Sequence, residues 1–358
     1  MKALDFKRIF PTANDTSLTG LIRNQPEDFA VDEINSVPLS GDGEHLWLYV
    51  RKIGENTDWV ARLLARLTGV SRRQVGYAGL KDRHAVTQQW FSIQLPDRAA
   101  VEQLSDKLPP TVAVVKQHWH RKKLQKGNLK SNRFRLCVRA INGLDSEQRK
   151  IVMDGLLAKI AAQGVPNYFG PQRFGHNMGN VAAVKSWFSG ETRAPKAHLR
   201  SLYLSSGRSW IFNHVLAERV RLNVWCEAVA GDVFQLQGSH SWFQSKADDA
   251  LHERLQLGDI HPTGAMWGRG ESPASNEVLD MEQRIAQQHA EIRDGLEQKG
   301  LKQERRGLRV MVKDLNHQWL DDETLQISFE LPSGAFATSV LREILDYRDN
   351  SQKANEVE

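Results

Sequence analysis

Cysteine is scarce in this 358-residue sequence: Cys137 and Cys226 are the only two. Two thiols are too few for a thiolate zinc site and offer no disulfide framework, so both read as buried free thiols. No apolar run approaches a membrane span, and residues 1–7 lack the apolar core of a signal peptide. A cytoplasmic location with no membrane partner is therefore expected. The twelve histidines are scattered. His118 and His120 share a strand face, but no suitable third ligand lies close by, and no metal is expected. Internal repeats are also lacking. Negative charge is missing from one long stretch: Lys107 to Leu144 holds ten lysines or arginines and no aspartate or glutamate. The whole chain is only +5, from 48 basic and 43 acidic residues. Outside the stretch the balance is 38 to 43, so the positive excess is local. A local patch without carboxylates is what a polyanion reads.

With 40% hydrophobic and 25% charged residues the composition is that of an ordinary globular protein, and the length favours two domains. The densest chemistry lies in Gly76-Tyr77-Ala78-Gly79-Leu80-Lys81-Asp82-Arg83-His84. Gly76 and Gly79 allow a sharp bend and close approach to the main chain, which puts Asp82 at the tip of a turn. After it, Phe91, Ile93 and Leu95 alternate with Trp90, Ser92 and Gln94 as a strand. Before it, Trp59, Val60, Leu63, Leu64 and Leu67 recur at helical spacing, with Asn56 or Thr57 as cap and Gly69 as stop. On spacing alone, an Asp between Lys81 and Arg83 fits a solvated turn as well as a site.

Within the basic stretch, Phe134, Leu136, Val138 and Ala140 alternate with Arg133, Arg135, Cys137 and Arg139. This predicts a strand with one apolar and one cationic face. A charged edge strand resists sheet-to-sheet aggregation and explains part of the charge. It does not explain why the flanking loops also avoid carboxylates, whereas a track for a phosphate backbone does. Arg121, Lys122, Lys123, Lys126 and Arg133 are the candidate backbone contacts. Further on, Asn167-Tyr168-Phe169-Gly170-Pro171-Gln172-Arg173-Phe174-Gly175 can offer Arg173 to phosphate and stack Tyr168 and Phe169 on bases; equally, the rings can fill a small core. The spacing predicts a helix over 146–163, capped by Asp145 or Ser146 and closed by Gly164, with Ile151, Val152, Leu156, Leu157 and Ile160 apolar. Helical stretches are also expected at 210–222 and 276–298. Leu325, Ile327, Phe329 and Leu331 alternate as a strand that ends at Pro332-Ser333-Gly334-Ala335-Phe336, and a helix follows.

The A-G-L-K-D-R string at 78–83 resembles the signature of the TruD family of tRNA pseudouridine synthases, in which that aspartate is the catalytic carboxylate. Four further strings match the same family in order: R-N-Q-P-E-D-F-A-V-D-E at 23–33, the H-x-x-K-L-x-x-G-x-L-x-x-N-R-F pattern at 120–134, N-Y-F-G-x-Q-R-F-G at 167–175, and P-S-G-A-F at 332–336. The resemblance implies Asp82 as catalytic residue, with Phe29, Lys81, Asn132, Phe134 and Phe336 binding substrate. Other pseudouridine synthases usually carry a Tyr where this family has Phe, here Phe134, so no phenol is implied as proton acceptor. The implied fold is α+β: a catalytic domain built on a mixed, mostly antiparallel sheet, and an inserted α/β TRUD domain across a basic cleft. The boundaries expected are 1–156 with 306–350 for the discontinuous catalytic domain, 157–305 for the insert, and a polar tail at 351–358. The implied activity is isomerisation of uridine to pseudouridine at uridine 13 of tRNA, with tRNA-Glu the expected target, no cofactor and no obligate protein partner. Two rivals from the residues alone are an RNA-binding protein without catalysis and a metal-dependent nucleic-acid hydrolase. The hydrolase is weaker, because Asp82 has no second carboxylate in its motif.

Overall fold

The computed structural model describes residues 5–14, 17–95, 104–125, 127–239, 241–245 and 248–351. It divides into two compact units. The sheet unit comprises Ser17–Val152, Lys313–Gly334 and the segment from Leu345; the helical unit comprises the segment before Ser17, Met153–Val312 and Ala335–Ile344. This division differs from the expected one, which gave the chain start, 153–156, 306–312 and 335–344 to the sheet domain. The reason is packing: Phe10 joins a buried cluster with Tyr168, Phe174 and Trp210. Glu343 accepts the amides of Ala13 and Asn14 at 2.8 and 3.2 Å.

In the sheet unit, seven strands run in the order Lys313–Trp319, Leu325–Pro332, Leu129–Asn142, Phe29–Asn35, Val86–Gln94, His45–Ile53, Val112–His120. Thr19–Ile22 adds to Leu129–Asn142 and to Asp346–Asp349, and Val75–Tyr77 adds to Val86–Gln94. Pairing is antiparallel except between Phe29–Asn35 and Val86–Gln94 and between Thr19–Ile22 and Asp346–Asp349. The mixed, mostly antiparallel sheet is thus as expected. Leu325, Ile327, Phe329 and Leu331 are buried on one face, as their alternation predicts. In Leu129–Asn142 the alternation holds only to Val138. Ala140 has φ +49° where the register against Thr19–Ile22 shifts, so Ala140 is exposed and Ile141 turns inward.

The helix Thr57–Leu67 lays Val60, Leu63 and Leu64 on Leu46, Leu48, Phe91 and Ile93, and Gly69 follows its end at φ +68°. Ser146–Gln163 forms as predicted, with Asp145 Oδ1 accepting the Gln148 amide at 2.9 Å. Its buried stripe is Arg149, Met153, Leu157 and Ile160, however, and Ile151 and Val152 face solvent. Arg149 sets that rotation by donating to the carbonyls of Asp322 and Leu144 at 2.6 and 2.8 Å.

The helical unit is built around Ala197–Arg221, a helix starting well before the expected Trp210; its first turns are mostly exposed, and its fully buried residues begin at Ser206. The helix expected over 276–298 breaks at His289 into Asn276–Gln288 and Ala290–Gln298. A four-stranded sheet, ordered Trp242–Gln244, Val233–Leu236, Ile260–Met266, Glu304–Gly307, completes the unit. Among the described residues no helix is long and apolar enough to cross a membrane.

This unit carries a pH liability. Burial pushes His214 and His261 down to about 3 and His289 to about 4; the neighbouring His289 adds to the effect at His214, Arg309 at His261, and Lys185 at His289. The unfolded chain binds more protons at these sites between those values and about 6.5, so stability falls as pH drops through that window. Glu343, raised by burial to about 7, acts oppositely: its folded form holds the proton between its ordinary value of 4.5 and 7. Three histidines outweigh one glutamate. The melting temperature should fall between pH 7 and pH 5, and His261→Gln should flatten that fall; a melting temperature rising toward pH 5 would contradict this balance.

Candidate active site

The loop from Ala78 to Ala85 links two strands of the sheet unit and is held by a relay of side chains. Thr57 Oγ1 accepts the Lys81 amide at 3.0 Å and donates to Gln89 Oε1 at 2.8 Å, and Gln89 Nε2 donates to the Gly79 carbonyl at 3.1 Å. Thr57 therefore serves the loop, and of the two cap candidates it is Asn56 that takes the cap position, without a side-chain hydrogen bond. Neither glycine has a positive φ, so the bend does not depend on glycine's backbone freedom. Gly76 is needed for closeness: a Cβ there would lie 2.6 Å from the Leu124 carbonyl oxygen. A side chain at Gly79 would meet nothing nearer than Lys81 Nζ at 4.0 Å.

Asp82 is paired with a residue far away in sequence. Arg23 Nη2 lies 2.9 Å from Asp82 Oδ2, and Arg23 Nη1 lies 2.5 Å from Asp349 Oδ2. The guanidinium carbon sits 3.8 Å above the centre of the Phe29 ring, a stacked cation–π contact. Arg23 is 4% exposed at the side chain, while Asp82 keeps 42%. The cation is thus buried and fixed, and the carboxylate is accessible. Lys81 and Arg83 flank Asp82 in sequence, but adjacent side chains in an extended segment point apart, and the partner is a remote arginine. Lys81 turns inward to a buried ion pair with Glu33 at 2.8 Å, and Arg83 Nε donates to the Gly54 carbonyl at 3.3 Å.

Phe29 lies under Arg23, so that face of its ring is covered by protein. Phe134 stands edge-on to Phe29 at 6.3 Å and against Phe329 at 5.4 Å. Both are buried. Asn132, two residues before Phe134 on the same strand, has a buried Oδ1 with no hydrogen-bond partner. A buried acceptor left open in this way suits a ligand N–H. Phe336 belongs to the helical unit, where it precedes the helix Ala337–Leu341 and packs, half-buried, against the aromatic cluster.

The basic stretch is less bare than it reads. Sheet register sets Asp32 and Glu330 opposite Arg133, with Arg133 Nη2 3.8 Å from Glu330. Burial raises the Asp32 pKa, and Arg135 and Arg133 oppose that rise. Arg139 forks onto Asp28 at 2.8 and 3.0 Å, and Arg121 onto Asp42 at 2.8 and 3.0 Å. Carboxylates absent from the local sequence are supplied by neighbouring strands and loops. Lys123 donates to the Arg73 carbonyl at 2.5 Å, whereas Lys122 is exposed. Lys126 lies outside the described residues. In the helical unit Arg173 is half-buried, donating to Ser205 Oγ at 3.0 Å, and burial lowers its pKa. Tyr168 and Phe169 beside it are buried, which is the small-core alternative.

A family model described as tRNA pseudouridine synthase D (TruD) matches residues 10–188 and 178–344. A tRNA pseudouridine synthase D from Hydrogenovibrio crunogenus is 46% identical over 331 residues, covering 92% of this chain and 94% of its own. The chain belongs to the tRNA pseudouridine synthase D family. A second relative of that description, from Methylococcus capsulatus, is 45% identical over 342 residues, 93% of each chain. A solved structure assigned to TruD from Methanosarcina mazei superposes with a TM-score of 0.75 over 96% of this chain and 98% of its own. At 23% identity that likeness bears on the fold alone. In this family member the Arg23 ion pairs should contribute to stability. Arg23→Met leaves Asp349 and Asp82 without their cation, and should cost about 2–3 kcal/mol, less than a wholly buried pair because Asp82 is part-exposed. Urea denaturation checks this; an unchanged midpoint would contradict it.

Proposed function

We propose that this family member isomerises uridine 13 of tRNA to pseudouridine, with tRNA-Glu as a target and Asp82 as the carboxylate that begins the exchange. The observation that carries the reading is the accessible Asp82 carboxylate beside the buried guanidinium of Arg23. The reaction breaks the N1–C1′ bond, turns the uracil and joins C5 to C1′. One C–N bond is exchanged for one C–C bond and the C5 hydrogen moves to nitrogen through solvent, so no net oxidation occurs. An ionised carboxylate can start this by attack at the sugar carbon or by removing a sugar proton to give a glycal. Both need a carboxylate open to the sugar, and Asp82 keeps 42% exposure beside the Arg23 guanidinium at 2.9 Å.

The remaining groups fit a flipped base. Asn132 Oδ1 suits the N3–H of uracil, and Phe134, flush with the same strand, lends an aromatic edge. The hydrolase alternative is disfavoured by Arg23 itself. Asp349 shares Arg23 with Asp82, and the guanidinium that binds both carboxylates leaves them no joint place for a cation.

Incubation with unmodified tRNA in chelator, followed by carbodiimide mapping, should show one pseudouridine at position 13. Asp82→Asn should abolish it while tRNA binding stays equal or tightens; normal turnover by that variant would remove Asp82 from the role. For the backbone track, Lys122→Ala should lower the slope of log affinity against log salt by about one. An unaltered slope would place Lys122 outside the interface.

A further inference from the structure

One charged side chain grips the loop without belonging to the reaction just described. Lys52 lies on His45–Ile53, set between Thr87 and Val112 of the adjoining strands, and is 0% exposed. Its ammonium donates to the carbonyl of Asp82 at 2.9 Å and to that of Glu55 at 2.7 Å. Removing a lysine from water is costly, and an uncharged chain such as methionine fills similar space without that cost. What methionine lacks is a hold on two carbonyls.

The other fastenings each take a different part of the loop. Gln89 holds the Gly79 carbonyl, Thr57 the Lys81 amide, and Arg23 the Asp82 carboxylate. Lys52 takes the peptide that leaves Asp82 and ties it to the turn before Thr57–Leu67. We propose that Lys52 is a positioning residue for catalysis, fixing the main chain of Asp82 so that its carboxylate is aimed at the target sugar. This rests on Asp82 being the reacting carboxylate.

A pH signature follows from the surroundings. The charged groups facing Lys52 are Asp82 and Glu55, which raise its pKa, and Lys81, which lowers it. Burial outweighs them and brings it to about 8. Above that value the grip loses its charge-assisted character and the loop loosens. Stability moves the other way: between about 8 and about 10.4 the unfolded chain binds more protons at this site, so this group adds stability as pH rises. A fall in rate there is therefore separable from unfolding.

The test is single-turnover isomerisation of saturating unmodified tRNA by the full chain, comparing wild type, Lys52→Met and Asp82→Asn. Lys52→Met should slow the step about ten- to hundredfold, the scale of a small misplacement, with the tRNA dissociation constant within about twofold. A folded Lys52→Met variant with wild-type rate, or one whose whole loss lies in affinity, overturns the proposal. Should Lys52→Met fail to fold, the wild-type profile decides. A rate falling as pH rises through about 8, with unchanged near-ultraviolet dichroism, supports the proposal, and a rate flat to about pH 9 overturns it. Turnover by Asp82→Asn would instead defeat the underlying assignment, whatever Lys52 does.

Discussion

The arrangement depends on one guanidinium. Arg23 joins the N-terminal part of the sheet unit to Asp82 in its middle and to Asp349 near its end, and rests on Phe29. Its backbone sits at φ +53°, a region that costs a non-glycine residue about 1–3 kcal/mol. Two charge-assisted contacts and a stacked ring hold it there. The strain and the site share a residue, and the strain aims the guanidinium across strands distant in sequence. The neighbouring ion pair of Lys81 with Glu33 removes the cation that would otherwise compete for Asp82.

The motif at 78–83 makes the location of the site legible, and the alternation of Leu325 to Leu331 makes one wall of the sheet legible. The partners of Asp82 are not legible in the same way. Arg23 is 59 positions away and Asp349 lies beyond a whole second unit, so no local period or spacing connects them. Asn-Gln-Pro after Arg23 marks a turn but not the direction of the guanidinium. Lys52 falls on the strand face of Leu46, Leu48 and Val50, so its place among apolar residues is legible, but its two carbonyl partners are not. Thr57 and Gln89 carry no chemical signal at all, because their work is done on main-chain atoms.

The basic stretch teaches the converse. Counting charges along the chain finds ten cations without an acid, yet sheet pairing places Asp32 and Glu330 against Arg133, and the turn before Phe29 brings Asp28 to Arg139. Charge read in one dimension overstates the free positive surface whenever the segment is a central strand. The exposed Lys122 remains the sharper candidate for phosphate, because it lies in the loop before the strand rather than within it. Ile151 and Val152 show a similar limit for helices: with Arg149 anchored to two carbonyls, the buried stripe rotates away from the most apolar residues.

In the proposed reaction Arg23 holds the Asp82 carboxylate where a flipped uridine presents its sugar. A structure of Asp82→Asn bound to unmodified tRNA tests it most directly. The target uridine should stand out of its stack, with C1′ about 3–3.5 Å from the residue-82 side chain, the uracil N3–H on Asn132 and the ring beside Phe134. A target uridine ordered elsewhere on the protein, with Asn132 Oδ1 still unpartnered, would contradict it.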